Sequence, residues 1–162
     1  MSAKPKSSAR ERKVEDTILE NYNKYYRLAY SYVHNDADAA DIVQNGAYKA
    51  ILNSDSLRNM EFAGTWVYRI MLNEIFRFLK ATPALSLEEL VVEEGKQDTY
   101  EDVDLRRAVD SLGVQDKAVV EMRFFQDMRL EEIAEILQEN LSTVKSRLYR
   151  SMKKLRLELE TE

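Results

Sequence analysis

Residues 130–159 read LEEIAEILQENLSTVKSRLYRSMKKLRLEL, and their spacing decides the fold. Leu130, Ile133, Ala134 and Leu137 fall on one face of a short helix, and the small side chain of Ala134 lets a second helix pass close. A turn over residues 138–141 follows, and Ser142 stands where an N-cap is expected for a longer helix. This is the layout of a helix-turn-helix, whose second helix lies in the major groove. On a helical wheel Val144, Leu148, Met152, Leu155 and Leu159 share a sector of about 80°. Lys145, Arg147, Arg150, Lys153, Lys154 and Arg156 occupy the remaining circumference, and no acidic residue occurs between Leu141 and Leu157. An apolar stripe with purely basic flanks offers a positive surface to a polyanion. A solvated basic helix on a bundle would show the same charges, but the preceding helix, turn and cap favour DNA. The candidate contacts are Ser142, Thr143, Lys145, Ser146, Arg147, Tyr149, Arg150 and Lys153. Among these, Ser146, Tyr149 and Arg150 suit base edges, and the lysines suit phosphates.

Outward from this pair, periodicity predicts four short helices near 103–112, 116–125, 130–138 and 142–160, separated by Gly113, Gln126-Asp127 and the turn. Residues 82–104 carry eight acidic side chains and one basic one, a composition that reads as a flexible linker. The first half predicts three helices. One runs from Val14 to Val33, with Ile18, Leu19, Tyr22, Tyr25, Tyr26, Ala29 and Tyr32 at helical spacing. A second, capped by Asp36 or Asp38, turns Ile42, Val43, Ala47, Ala50 and Ile51 inward. A third, from Phe62 to Lys80, carries Phe62, Trp66, Val67, Ile70, Met71 and Phe78 as its apolar face. The tyrosines at helical spacing read as core more than as a stacking platform, with some of Tyr22, Tyr25, Tyr26 and Tyr32 partly exposed. The expectation is an all-α protein of two small helical domains: a basic extension 1–13, a three-helix domain 14–81, an acidic linker 82–104 and a four-helix domain 105–162.

Composition excludes several alternatives. The chain has no Cys, so disulfides and thiolate metal sites are ruled out. Four Gly and two Pro in 162 residues are too few for an all-β fold. The net charge of −5 masks an uneven distribution, since the acidic excess sits in residues 82–104. No signal peptide or membrane-crossing run is visible, so no membrane insertion is expected and the cytoplasm is the default. The single His34 ends a helix with no motif around it, where the helix dipole explains it better than catalysis does. No catalytic residue, metal site or cofactor is expected.

At this point a family resemblance emerges. The segments DLRRAVDSL (104–112), VVEMRFFQDMRLEEIAEIL (119–137) and STVKSRLYRSMKKLR (142–156) are similar to region 4 of extracytoplasmic-function sigma factors. YYRLAYSYVHNDADAADIVQNGAYKAI (25–51) resembles the family's regions 2.1 and 2.2, and FAGTWVYRIMLNEIFRFLK (62–80) its regions 2.3 and 2.4. The resemblance implies a subunit that binds core RNA polymerase and directs it to promoter DNA, often restrained by an anti-sigma factor. It implies that the second domain reads the upstream (−35) element and that the first holds the melted downstream (−10) element. Asp38, Asp41 and Gln44 become candidate polymerase contacts. Asn73, with Arg69, Arg77 and Lys80, becomes a candidate −10 contact beside the 53–61 loop, whose family counterpart encloses a flipped base. The resemblance also implies that the linker threads the channel of the nascent RNA.

The chain departs from the family at Asn45-Gly46, where Glu-Thr is usual and where Gly46 is expected to soften the helix, and at Ala40, where an acidic residue is usual. It departs again at Gln138-Glu139 in the recognition turn, where Asn140 is the residue expected to turn left-handed. Two alternatives stand beside this reading: a conventional helix-turn-helix repressor or activator, and a helical adaptor that binds only protein.

Overall fold

The computed structural model describes residues 8–81 and 100–160, the side chains of 100–103 and 158–160 excepted. Among the described residues every regular element is helical, and they fall into two compact units. The 82–99 stretch of the expected linker lies outside the described residues.

The first unit is built from α1 (Ala9–Val33), α2 (Asp36–Leu52) and α3 (Ala63–Ala81), each packed against the other two. α1 begins five residues earlier than its apolar period predicts, inside the expected basic extension. Ser8 supplies the cap, its Oγ accepting from the Glu11 backbone N–H at 3.1 Å. α1 ends at His34, which takes a left-handed conformation (φ 53°) and donates its backbone N–H to the Tyr30 carbonyl at 2.8 Å. The cap of α2 is Asn35 rather than Asp36 or Asp38: its Oδ1 accepts from the Asp38 N–H at 2.9 Å. Asp36 and Asp38 instead occupy the first turn, where the helix dipole favours acidic side chains.

Tyr25, Leu28, Val43, Val67, Met71, Leu72 and Ile75 form the centre of this core. Each such side chain contributes about 1.5–3 kcal/mol by leaving water. Tyr25 meets Tyr68 edge to face at 5.8 Å, whereas Tyr22 stays exposed. Leu19 points to solvent despite its place in the apolar period. The buried face of α3 is rotated from the predicted one, centring on Val67, Tyr68, Met71, Leu72 and Ile75. Phe62 is 57% exposed, and Trp66, Ile70 and Phe78 are only half-buried. Glu74 is the charged member of the buried face, paired with Lys49 of α2. Gly46 is buried against Met71, so it permits close packing of α2 on α3.

The second unit comprises α4 (Tyr100–Asp110), α5 (Val114–Val120), α6 (Leu130–Leu137) and α7 (Leu141–Glu160). α4 starts within the stretch expected as linker. α5 does not run regularly to Phe125 but widens into a π-turn over Glu121–Phe125, where the Gln126 N–H reaches the Glu121 carbonyl at 3.1 Å. Asp127 then turns left-handed, at φ 53°. Buried Glu121 accepts from Arg106, whose guanidinium also lies 4.6 Å from the Phe125 ring centre. Ala108, Val109, Leu112, Val120 and Leu155 tie α4, α5 and α7 into one core. Beside this core an open apolar groove is lined by Leu105, Phe124, Phe125, Tyr149 and Met152.

Candidate nucleic-acid interface

α6 and α7 are joined by residues 138–140, and the sharp turn is made at Gln138 (φ 54°, ψ 45°), not at Asn140. The Gln138 and Glu139 N–H groups close onto the Glu135 and Ala134 carbonyls near the end of α6. α7 begins at Leu141, with the Val144 N–H bonded to the Asn140 carbonyl at 3.1 Å. Ser142 therefore lies inside the first turn and is not the cap. One helix face is buried through Val144, Leu148, Ser151 and Leu155, while Met152, placed on that face by the wheel, is 43% exposed.

Opposite the core, Ser142, Lys145, Ser146, Tyr149, Arg150 and Lys153 are exposed and Thr143 is half-buried. Tyr149 is 68% exposed. Arg147 differs from the others: it turns inward between two carboxylates, reaching Asp116 of α5 at 3.1 Å and Glu139 of the turn at 3.2 Å. Burial works against its charge, but the two carboxylates outweigh it and hold its pKa above the ordinary arginine value. Arg150 reaches the same Asp116 oxygen at 3.0 Å yet keeps most of its side chain in solvent. Glu139, one of the residues that departs from the family pattern, thus has a local role: it fastens the turn to α7.

In the first unit Arg69, Asn73, Arg77 and Lys80 recur at a spacing that places them within an arc of about 80° on α3. Asn73, Arg77 and Lys80 are exposed and Arg69 is half-buried; Arg77 also stands 4.0 Å from Glu74. Trp66 continues the same stripe toward the helix start and Phe62 precedes it in the 3₁₀ turn, so the two lie outside the core expected for them. The loop preceding α3 contains two short 3₁₀ turns, Ser54–Ser56 and Met60–Phe62. It is pinned by Leu57, only 2% exposed, and by Arg10, whose Nε donates to the Leu57 carbonyl at 2.8 Å. On α2, Asp41 and Gln44 are exposed and Asp38 half-buried. Tyr48 and Leu52 lie outward on the same side, 67% and 63% exposed. Two apolar residues at i and i+4, outside the apolar period of α2, are the sequence signal of this surface.

The second unit carries a helix-turn-helix with a basic outer face, the layout of a DNA-binding domain. Two family models match: Sigma-70 region 2 over residues 17–82 and Sigma-70, region 4 over residues 102–155. The chain is 41% identical over 149 residues to the RNA polymerase sigma factor SigV of Bacillus subtilis, covering 90% of each chain. It is 30% identical to the ECF RNA polymerase sigma factor SigW of the same organism, over 85% of this chain and 83% of that one. In fold it is similar to the sigma factor RpoE of Bartonella quintana, solved in complex with the anti-sigma factor NepR. That match has a TM-score of 0.70 at 20% identity and covers 91% of this chain and 97% of the other. The chain belongs to the extracytoplasmic-function RNA polymerase sigma factors.

Proposed function

We propose that the chain joins core RNA polymerase and directs it to promoters, with its two units dividing the recognition. The second unit reads the upstream element as duplex, through Ser146, Tyr149 and Arg150 at base edges and Lys145 and Lys153 at phosphates. Ser142 and Thr143 lie in the first turn of α7, where free backbone N–H groups and hydroxyls suit a phosphate. Arg147 braces the turn against α5. The observation that carries this reading is the outward row of Lys145, Ser146, Tyr149, Arg150 and Lys153 on a helix whose opposite face is buried.

The first unit holds the opened downstream element. Asn73 offers both donors and an acceptor to an unpaired base, and Arg69, Arg77 and Lys80 hold neighbouring phosphates. Asp38, Asp41 and Gln44 on α2 contact the polymerase, and the acidic linker between the units follows the channel of the nascent RNA. An anti-sigma factor is the regulatory partner this reading includes, as in the solved complex of the Bartonella relative. The protein works in the cytoplasm and performs no chemistry of its own; among the described residues no helix is long and apolar enough to cross a membrane. Promoter binding measured with and without core polymerase tests the reading. Stable, specific binding only in the presence of core supports it. Equally tight specific binding by the chain alone would mark a conventional repressor or activator, and no salt-dependent DNA binding in either case would mark an adaptor.

A further inference from the structure

Asp116 sits in the first turn of α5, outside the helix-turn-helix, yet one of its oxygens accepts from both Arg147 and Arg150 of α7. The two arginines are not equivalent. Arg147 is 23% exposed and held by a second carboxylate, Glu139, so it is a fixed strut. Arg150 is 62% exposed and, among the described residues, makes its polar contact with Asp116, through Nη2. A guanidinium has five N–H donors in a rigid fork. One donor engaged by Asp116 leaves enough for a bidentate contact, while the fork loses its freedom to swing toward any nearby phosphate.

We infer that Asp116 is a specificity-determining residue that acts through Arg150, an inference that rests on the proposed reading of α7 as the upstream recognition helix. Asp116 does so in two ways. It orients the guanidinium, so that a guanine edge meets a preset fork. It also competes with phosphates for the same cation, which weakens sequence-independent binding more than matched binding. Non-specific attachment draws almost wholly on phosphate neutralisation, whereas matched DNA adds base contacts that leave the Asp116–Arg150 pair in place.

The test uses the full chain assembled with core polymerase, binding duplex promoters that are matched or carry a single changed base pair in the upstream element. Asp116→Asn should tighten binding to mismatched DNA and steepen its salt dependence by up to about one unit. It should lower matched-over-mismatched preference at one base pair by about threefold to tenfold, part of what a bidentate contact supplies. Asp116→Glu should restore that preference. Glu139→Gln, which touches Arg147 but not Arg150, should leave it unchanged. Arg150→Ala should abolish preference at the same base pair. If Arg150→Ala does so while Asp116→Asn stays within twofold of wild type, the inference about Asp116 is wrong and the reading of α7 survives. An equal loss of preference in Glu139→Gln would likewise overturn it, by assigning the effect to a loosened turn. If Arg150→Ala keeps full preference at every position, the reading of α7 itself fails. Should Asp116→Asn not fold, as judged by circular dichroism, Asp116→Ser takes its place in each comparison.

Discussion

The thioether sulfur of Met71 occupies the space that a Cβ on Gly46 would need. Met71 is 1% exposed, so it has little room to retreat. Gly46→Ala gains about 1 kcal/mol of helix propensity, but overpacking a filled core costs about 1–3 kcal/mol. The expected outcome is a net loss of stability of up to ~2 kcal/mol, partly recovered when Met71→Val accompanies it. The chain has one tryptophan, Trp66, and it lies in the first unit, so its fluorescence during urea unfolding reports this effect directly. A more stable Gly46→Ala variant would show that the α2–α3 contact is looser than described.

Lys117 and Asp110 form a buried pair at 2.8 Å, with side chains 6% and 16% exposed. Burial pulls the Lys117 pKa below the ordinary lysine value, and Asp110 and then Glu121 oppose that pull. Asp110→Ala removes the carboxylate paired with the buried ammonium and should cost about 3–5 kcal/mol at neutral pH. The folded-state pKa lies below the unfolded one, so between the two values the unfolded chain holds the extra proton and stability rises with pH. Asp110→Ala lowers the folded value further and widens that interval. Its penalty relative to wild type should therefore shrink as pH rises toward the lysine range. Urea midpoints at neutral and alkaline pH check this; a constant or growing penalty would contradict it.

Asn73 is exposed on α3, and its replacement by Ala should leave folding and core binding nearly unchanged. Open-complex formation on duplex promoters should fall about fivefold to tenfold, the effect of one lost hydrogen-bonded contact. On templates already mismatched at the downstream element the loss should be smaller, because opening is no longer required. Permanganate footprinting of both templates distinguishes the cases. Equal opening by mutant and wild type on intact duplex would remove Asn73 from the site.

Lys153 is exposed one turn beyond Tyr149 and suits a phosphate. Lys153→Ala should weaken binding to all sequences alike and reduce the salt slope by about one. Binding titrations across several salt concentrations measure both. A change in base preference would mean that Lys153 reads sequence.

Much of this architecture was legible in the sequence because burial follows period. The stripe Val144, Leu148 and Leu155 located the core face of α7, and the first unit's helices were found from the same kind of signal. What escaped was whatever depends on a partner from another element. The buried face of α3 includes Glu74, which pairs with Lys49, while Phe62 lies before the helix and stays exposed, and neither follows from hydropathy. Ser142 looks like a cap in isolation, yet the helix starts at Leu141 because Gln138 takes the left-handed turn. Arg147 and Arg150 are both basic residues of the same helix and both reach Asp116, yet Arg147 alone is also held by Glu139, 8 residues before it in sequence. The π-turn at Glu121–Phe125 was equally invisible, since its apolar residues fit an ordinary helix.

Run-off transcription tests the central claim most directly. The purified chain is added to core polymerase that lacks any other sigma factor, on a duplex template carrying a promoter selected by the resulting complex. The expected result is a transcript of defined start that requires both components and is weakened in Arg150→Ala, by about the 1–3 kcal/mol of one bidentate base contact. Transcription by core that is unaffected by the chain, or that the chain only represses, would contradict it.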